Sequence, residues 1–216
     1  MKIQVISLFP EMFEGVVSSS MLLKAQKLNL VSFDFINLRQ FGLGVHKQVD
    51  DTPYGGGDGM LLMIEPLVAA IEHAKTKDQE AVVILPTPKG ETYTQNESKA
   101  LATNNKGLII ICPRYEGYDE RLTNWVDKQY CIGRYILTGG EIPAMVIMDS
   151  VIRLIPGVLG GQESAEIESF QSDLQQLEFP QYTRPSTFRG FDVPEVLISG
   201  HHQKIKDWRQ NNSPKL

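Results

Sequence analysis

Five short runs rich in β-branched and other apolar residues recur along the first two-thirds of the chain, and stretches patterned for helix separate them. The strand candidates are residues 3–9, 31–37, 81–85, 108–112 and a brief 130–132. The helix candidates are residues 11–28, 65–75, 96–102, 119–126 and 141–154. Strands that alternate with helices cannot pair as hairpins. They predict an α/β domain built on a mainly parallel sheet. In the last of these helices Ile142, Met145, Val146, Asp149 and Ile152 recur at helical spacing, and Pro143 falls in the first turn, where proline is tolerated.

Two stretches depart from the alternation. Residues 38–63 form a long irregular segment containing Tyr54, Gly55, Gly56, Gly57, Asp58 and Gly59, and loops of this length inside a compact domain usually carry function. After Pro156-Gly157 the pattern stops. Residues 161–178 read as a flexible acidic linker, and residues 179–216 as a short helical C-terminal region with one helix at 199–210. From residue 161 to 183 there are five acids (Glu163, Glu166, Glu168, Asp173, Glu178) and no Lys or Arg, whereas the positive charges gather from Arg184 onward. A net charge of −5 speaks against a protein-wide nucleic-acid footprint, but binding is decided by patches, so RNA as a partner stays open.

Several classes drop out. No apolar run approaches the roughly 18 residues of a membrane span. The N-terminus, with no small-residue cleavage site, reads as a first strand rather than a signal peptide, which fits a cytoplasmic protein. Cys112 and Cys131 match no metal or redox spacing, and the four histidines lack zinc-site spacing. No Gly-x-Gly-x-x-Gly follows a strand, and there is no Walker-type Gly-Lys-Ser/Thr or nucleophile elbow.

Three strands end in unusual loops: Leu85-Pro86-Thr87-Pro88-Lys89-Gly90, Pro113-Arg114-Tyr115-Glu116-Gly117, and a glycine-rich segment at residues 133–141. Ligands of open α/β sheets bind at the carboxyl ends of strands, so the three loops together predict one pocket. Taken singly, each also reads as an ordinary βα turn.

These segments, with Ile6-Ser7-Leu8-Phe9-Pro10-Glu11-Met12-Phe13, Val49-Asp50-Asp51-Thr52-Pro53-Tyr54, Asp119-Glu120-Arg121, Asp149-Ser150-Val151, Ile155-Pro156-Gly157-Val158-Leu159-Gly160 and Tyr182-Thr183-Arg184-Pro185, resemble the bacterial tRNA (guanine-N1-)-methyltransferases, a branch of the SPOUT superfamily. The resemblance implies that residues 1–160 form an S-adenosylmethionine-binding domain in which the three loops make a deep trefoil knot. It implies cofactor contacts by Leu85, Pro86, Thr87, Pro88, Pro113, Tyr115, Glu116, Gly117, Ile132, Gly133, Tyr135, Leu137, Gly139, Gly140 and Pro143. The glycine-rich loop at Tyr54–Gly59, together with Glu116 and Glu178, would meet the substrate, the anticodon stem-loop of tRNA, with magnesium as a candidate ion at the two acids. It further implies a homodimer with a shared active site, Glu168 as general base where an aspartate is usual, and Arg153 stabilising charge on guanine O6, at position 37.

Pro113 stands where a glycine is usual, Arg134 where an aspartate is usual, and the C-terminal region is shorter than such proteins normally carry. The short C-terminal region with Glu168 motivates a second reading, a SPOUT paralogue with shifted RNA specificity, and Pro113, Arg134 and Glu168 together a third, a cofactor- and RNA-binding protein with little or no methyl transfer.

Overall fold

A computed structural model describes residues 1–104, 106–159, 168–170 and 174–215. The chain divides into two compact units, Met1–Gly160 and Gly161–Leu216. Along the first unit run β1 (Lys2–Ser7), α1 (Glu14–Val17), α2 (Ser20–Lys27), β2 (Ser32–Asn37), β3 (Asp50–Asp51), β4 (Leu61–Leu62), α3 (Ile64–Lys77), β5 (Val82–Thr92), α4 (Gln95–Thr103), β6 (Leu108–Ile111), β7 (Lys128–Cys131) and α5 (Glu141–Ile152). The second unit adds β8 (Thr187–Phe188), β9 (Phe191–Asp192), α6 (Glu195–Ile198) and α7 (His202–Asn211).

Five strands form one sheet in the order β2-β1-β6-β5-β7, and every pairing in it is parallel. The α/β expectation therefore holds. Pleating sends Ile3 and Val5 of β1, Ile84 of β5, and Leu108 and Ile110 of β6 to one face, where residues of α2, α4 and α5 cover them. Ile6, Val83, Leu85, Ile109 and Ile111 point the other way into a second cluster that includes Leu67, Ala70, Ile71 and Ala74 of α3. Burial on both faces explains why β6 is an unbroken apolar run rather than an alternating one. Each fully buried Ile or Leu of this kind stabilises the fold by about 1.5–3 kcal/mol.

Several boundaries differ from the sequence pattern, each for a local reason. The expected single helix at 11–28 is a 3-10 turn (Pro10–Phe13) followed by α1 and α2. The break falls at the serines: Ser19 Oγ donates to the Gly15 carbonyl at 2.8 Å, and Ser20 has φ 48°, so local hydroxyl bonding competes with the helix. The stretch expected as a helix at 119–126 is a 3-10 helix, Glu120–Trp125. β5 does not stop at residue 85. Pro86 and Glu91 both sit opposite Tyr130, so the residues between them bulge out before the strand resumes.

The irregular segment 38–63 is tied down by the antiparallel pairing of β3 with β4, which leaves residues 52–60 as its tip. In the second unit the expected helix at 199–210 is α7, separated from α6 by Gly200 at φ 72°. Of the expected linker, residues 161–167 and 171–173 lie outside the described residues. Leu177 N donates to the Pro214 carbonyl at 2.9 Å within the second unit. No described residue of that unit is buried; its packing includes Arg209 stacked 4.8 Å over the Phe179 ring.

Candidate active site

The order β6-β5-β7 puts the carboxyl ends of three strands side by side, and there the first unit holds a cavity of about 590 Å³. That volume suits a small-molecule cofactor. The β5 bulge contributes Pro86, Thr87 and Pro88; the loop after β6 contributes Pro113, Tyr115, Glu116 and Gly117. The loop after β7 contributes Ile132, Gly133, Tyr135, Leu137 and Gly139, and the start of α5 adds Gly140 and Pro143. Leu85 is the exception among the cofactor candidates. It is fully buried, packed with Val83 and Ile111 in the core behind β5 rather than in the cavity wall.

The wall is held by contacts between loops. Gly140 N donates to the Pro113 carbonyl at 2.8 Å, and the helix start lies so close to the end of β6 that a Cβ on Gly140 would reach within 2.7 Å of Cys112 Cα. Tyr115 adopts φ 60°, a left-handed conformation that costs a non-glycine residue roughly 1–2 kcal/mol. Strain of this kind is tolerated where the surroundings over-determine it, and it clusters at functional sites. The surroundings here are Glu116 N on the Met60 carbonyl (3.0 Å), Leu62 N on the Gly117 carbonyl (2.9 Å) and Asp119 N on the Leu62 carbonyl (3.0 Å).

The same bonds anchor the base of the glycine-rich loop to the cavity rim. Gly59, at φ 80°, packs so closely that a Cβ would fall 2.5 Å from Glu116 Cγ. Tyr54 at the tip is fully exposed, Gly55, Gly56, Gly57 and Asp58 are exposed as well, and a loop so tethered can present backbone to a substrate beside the cavity.

Electrostatics at the site come from two ion pairs and one acid. Lys89 pairs with Glu120 at 2.8 Å, and that hydrogen bond and charge hold the Lys89 ammonium above its ordinary pKa. Arg114 pairs with Glu141, which is 1% exposed and begins α5. Glu116 is in no ion pair among the described residues. Cys112, beneath the wall, is buried, and burial pushes its thiol well up; Cys131 lines the cavity and donates to the Gly133 carbonyl at 3.2 Å.

Of the two catalytic candidates, Arg153 is in the first unit and does not line the cavity. Arg153 caps the far end of α5, its N–H on the Asp149 carbonyl at 3.1 Å. Ten residues separate it from Pro143, which is about 15 Å along the helix axis at 1.5 Å per residue. Glu168 and Glu178 belong to the second unit; Glu178 N donates to Ser169 Oγ at 2.9 Å, and its carboxylate accepts from Gln181 Nε2.

Sequence reasoning missed several lining groups: Lys89, Arg114, Tyr118, Glu120 and Tyr130. Arg114 and Lys89 stood inside the loops already singled out, so their position was the available signal. Tyr130 looked like an ordinary strand residue, and nothing in the pattern marks Glu141 as buried.

Comparison with known proteins agrees with this architecture. The family described as tRNA (Guanine-1)-methyltransferase TrmD matches residues 1–215. A tRNA (guanine-N(1)-)-methyltransferase from Halalkalibacterium halodurans is 52% identical over 217 residues, spanning 100% of this chain and 87% of the relative. Proteins of the same name from Geobacillus kaustophilus (50% identical over 214 residues, 99% of this chain and 86% of the relative) and Dictyoglomus turgidum (47% over 215 residues, 100% and 86%) are similar over the same extent. A match from end to end, on a parallel sheet with a walled cavity at its carboxyl edge, means that the chain belongs to the tRNA (guanine-1)-methyltransferase family.

Proposed function

We propose that this protein is an S-adenosylmethionine-dependent enzyme that methylates N1 of a guanine in tRNA, at position 37 beside the anticodon. The observation that carries the reading is the family match over residues 1–215. The cavity supports it. Its wall combines apolar rings and prolines able to hold an adenosine with charged side chains able to meet an amino acid end. Counting Glu141 behind it, the wall carries one net negative charge, which suits a cationic ligand.

When bound, S-adenosylmethionine supplies the electrophilic methyl group. The protein's part is to prepare the nucleophile. Neutral guanine N1 is weakly nucleophilic, so its proton must leave as the new bond forms, and charge then builds on O6. In this reading Glu168 takes the N1 proton and Arg153 faces O6. The glycine-rich loop 54–59 presents backbone to the RNA while the cavity loops exclude water.

Arg153 supports a site shared between two copies, because its own helix carries it about 15 Å from Pro143 on the cavity wall. Ile142 (49% exposed) and Val146 (42%) lie one turn apart on α5 and present apolar surface to cover in such a homodimer. The trefoil knot belongs to the same proposal; the passage from β6 across β5 to β7, with Gly140 seated on Pro113, supports it. Among the described residues no group of three His, Cys, Asp or Glu could hold a metal ion; Glu116 and Glu178 are the acids that would meet magnesium in this reading. None of the described helices is long and apolar enough to cross a membrane, and a tRNA substrate supports a cytoplasmic location in this reading.

The test is transfer of a labelled methyl group from S-adenosylmethionine to unmodified tRNA by the purified protein. Incorporation is expected, with loss of turnover but retained cofactor binding in Glu168→Gln. Tight cofactor binding without transfer would instead mark a binding protein.

A further inference from the structure

Four charged side chains line the cavity among the described residues: Lys89, Arg114, Glu116 and Glu120. Lys89 and Glu120 cancel each other across 2.8 Å at the exposed rim. Arg114 is cancelled from behind. Its Nε lies 2.8 Å from Oε2 of Glu141, which does not line the cavity and is 1% exposed. Ser7 Oγ donates to the other oxygen, Oε1, at 2.7 Å, and the Arg114 guanidinium spreads over the Phe9 ring, 4.6 Å from its centroid. Arg114 Nη1 reaches the Thr138 carbonyl at 3.3 Å.

The Arg114–Glu141 contact is a charge pair and not a directed hydrogen bond, since neither Nε nor Oε2 has a hydrogen-bonded partner. Burying a carboxylate is expensive, and a neutral side chain of the same shape could fill the space and still accept from Ser7. What only the ionised carboxylate supplies is cancellation of the guanidinium in the cavity wall. With both cations matched, the charge a ligand meets is that of Glu116.

We propose that Glu141 determines the specificity of the cavity for a cationic ligand: by neutralising Arg114 from behind, it lets the site prefer the sulfonium cofactor over its neutral thioether product, S-adenosylhomocysteine. The inference rests on the cofactor reading above and goes beyond it. Binding of a donor that carries one more positive charge than its product is where such a pair acts, and a preference for the donor helps the spent product leave. A unit charge acting across roughly 10 Å at an effective dielectric of 20–40 changes a binding constant roughly four- to sixteenfold.

The experiment is calorimetric titration of the full-length protein with each of the two ligands, without RNA. In Glu141→Gln the affinity ratio of S-adenosylmethionine to S-adenosylhomocysteine is expected to fall roughly four- to sixteenfold. In Ser7→Ala, which removes the hydrogen bonds to Glu141 and from Phe9 N but no charge, the ratio should hold. The double variant Glu141→Gln with Arg114→Gln should return the ratio towards that of the unsubstituted protein. Equal losses for both ligands in Glu141→Gln would reduce the pair to a packing role and overturn the proposal. Should Glu141→Gln not fold, Arg114→Gln alone decides: leaving Glu141 unmatched should raise the ratio, and an unchanged or lower one overturns the inference. If the unsubstituted protein binds neither ligand, the cofactor reading itself fails.

Discussion

Replacing Gly140 by alanine adds one methyl group at the joint where α5 meets the end of β6. Its backbone, φ −84° and ψ −5°, is one that alanine adopts without strain. The unfolded chain also loses freedom, which by itself would stabilise the fold by about 0.4–1 kcal/mol. Packing opposes this. The new Cβ would fall onto Pro113 Cδ and lie 2.7 Å from both Cys112 Cα and Pro113 N, whereas carbon atoms rest at roughly 3.5–4 Å. The obstructing atoms are backbone or proline ring, so none can swing aside, and helix and strand must part by roughly 1 Å. Overpacking of this kind costs about 1–3 kcal/mol, which leaves a net loss of about 1–2 kcal/mol and a Tm lower by a few degrees.

Pro113 and Gly140 both line the cavity, so cofactor affinity should fall with stability. Gly15→Ala is the matched control. It makes the same chemical change inside α1, where nothing lies within 4 Å, and should stabilise by about 0.5–1 kcal/mol. Urea unfolding at one protein concentration and titration with S-adenosylmethionine read both quantities. A Gly140→Ala protein as stable and as tight-binding as the parent would refute the reasoning.

Three other outcomes follow from the same structure. At pH 8, iodoacetamide should modify Cys131 first and S-adenosylmethionine should slow it, while Cys112, buried and with its thiol held protonated, should stay unmodified; equal rates would contradict this. Burial raises the phenols of Tyr93 and Tyr130, so the unfolded chain ionises first, and stability should be flat below pH about 10 and fall above it. Tyr93→Phe should lessen that fall in urea midpoints measured from pH 8 to 10.5, and an unaltered pH dependence would count against it. Thr94 caps α4 in a box with Glu97, so Thr94→Ala should cost about 1 kcal/mol in the same assay; an unchanged midpoint would show the box to be idle.

Much of the fold was legible because the relevant signals are local. Runs such as Leu108-Ile109-Ile110-Ile111 can do little else than form a strand buried on both faces. The bulge in β5 was not, since Pro86 and Pro88 read as a stop, and only the partner strand β7 lets the chain resume. The pattern placed a pocket at the three strand-end loops and the resemblance supplied its individual residues, and Leu85 shows the limit of carrying residues over singly. Its place in the pleat, two residues after Val83, sends the side chain to the core. Glu141 was invisible for a different reason. An acid in the first turn of a helix ordinarily faces solvent near the helix dipole, and its burial here depends on Ser7 and Arg114, 134 and 27 positions away in the chain. The long helix α5 likewise hid the separation of Arg153 from the cavity wall of its own chain.

The proposed methyl acceptor is N1 of the guanine at position 37. Nuclease digestion and mass spectrometry of a tRNA transcript carrying guanosines at positions 36 and 37, after incubation with the protein and S-adenosylmethionine, measure it directly. 1-Methylguanosine is expected at position 37 and at no other nucleotide; a methyl group on a different base, or on another atom of that guanine, would rule the proposed reaction out.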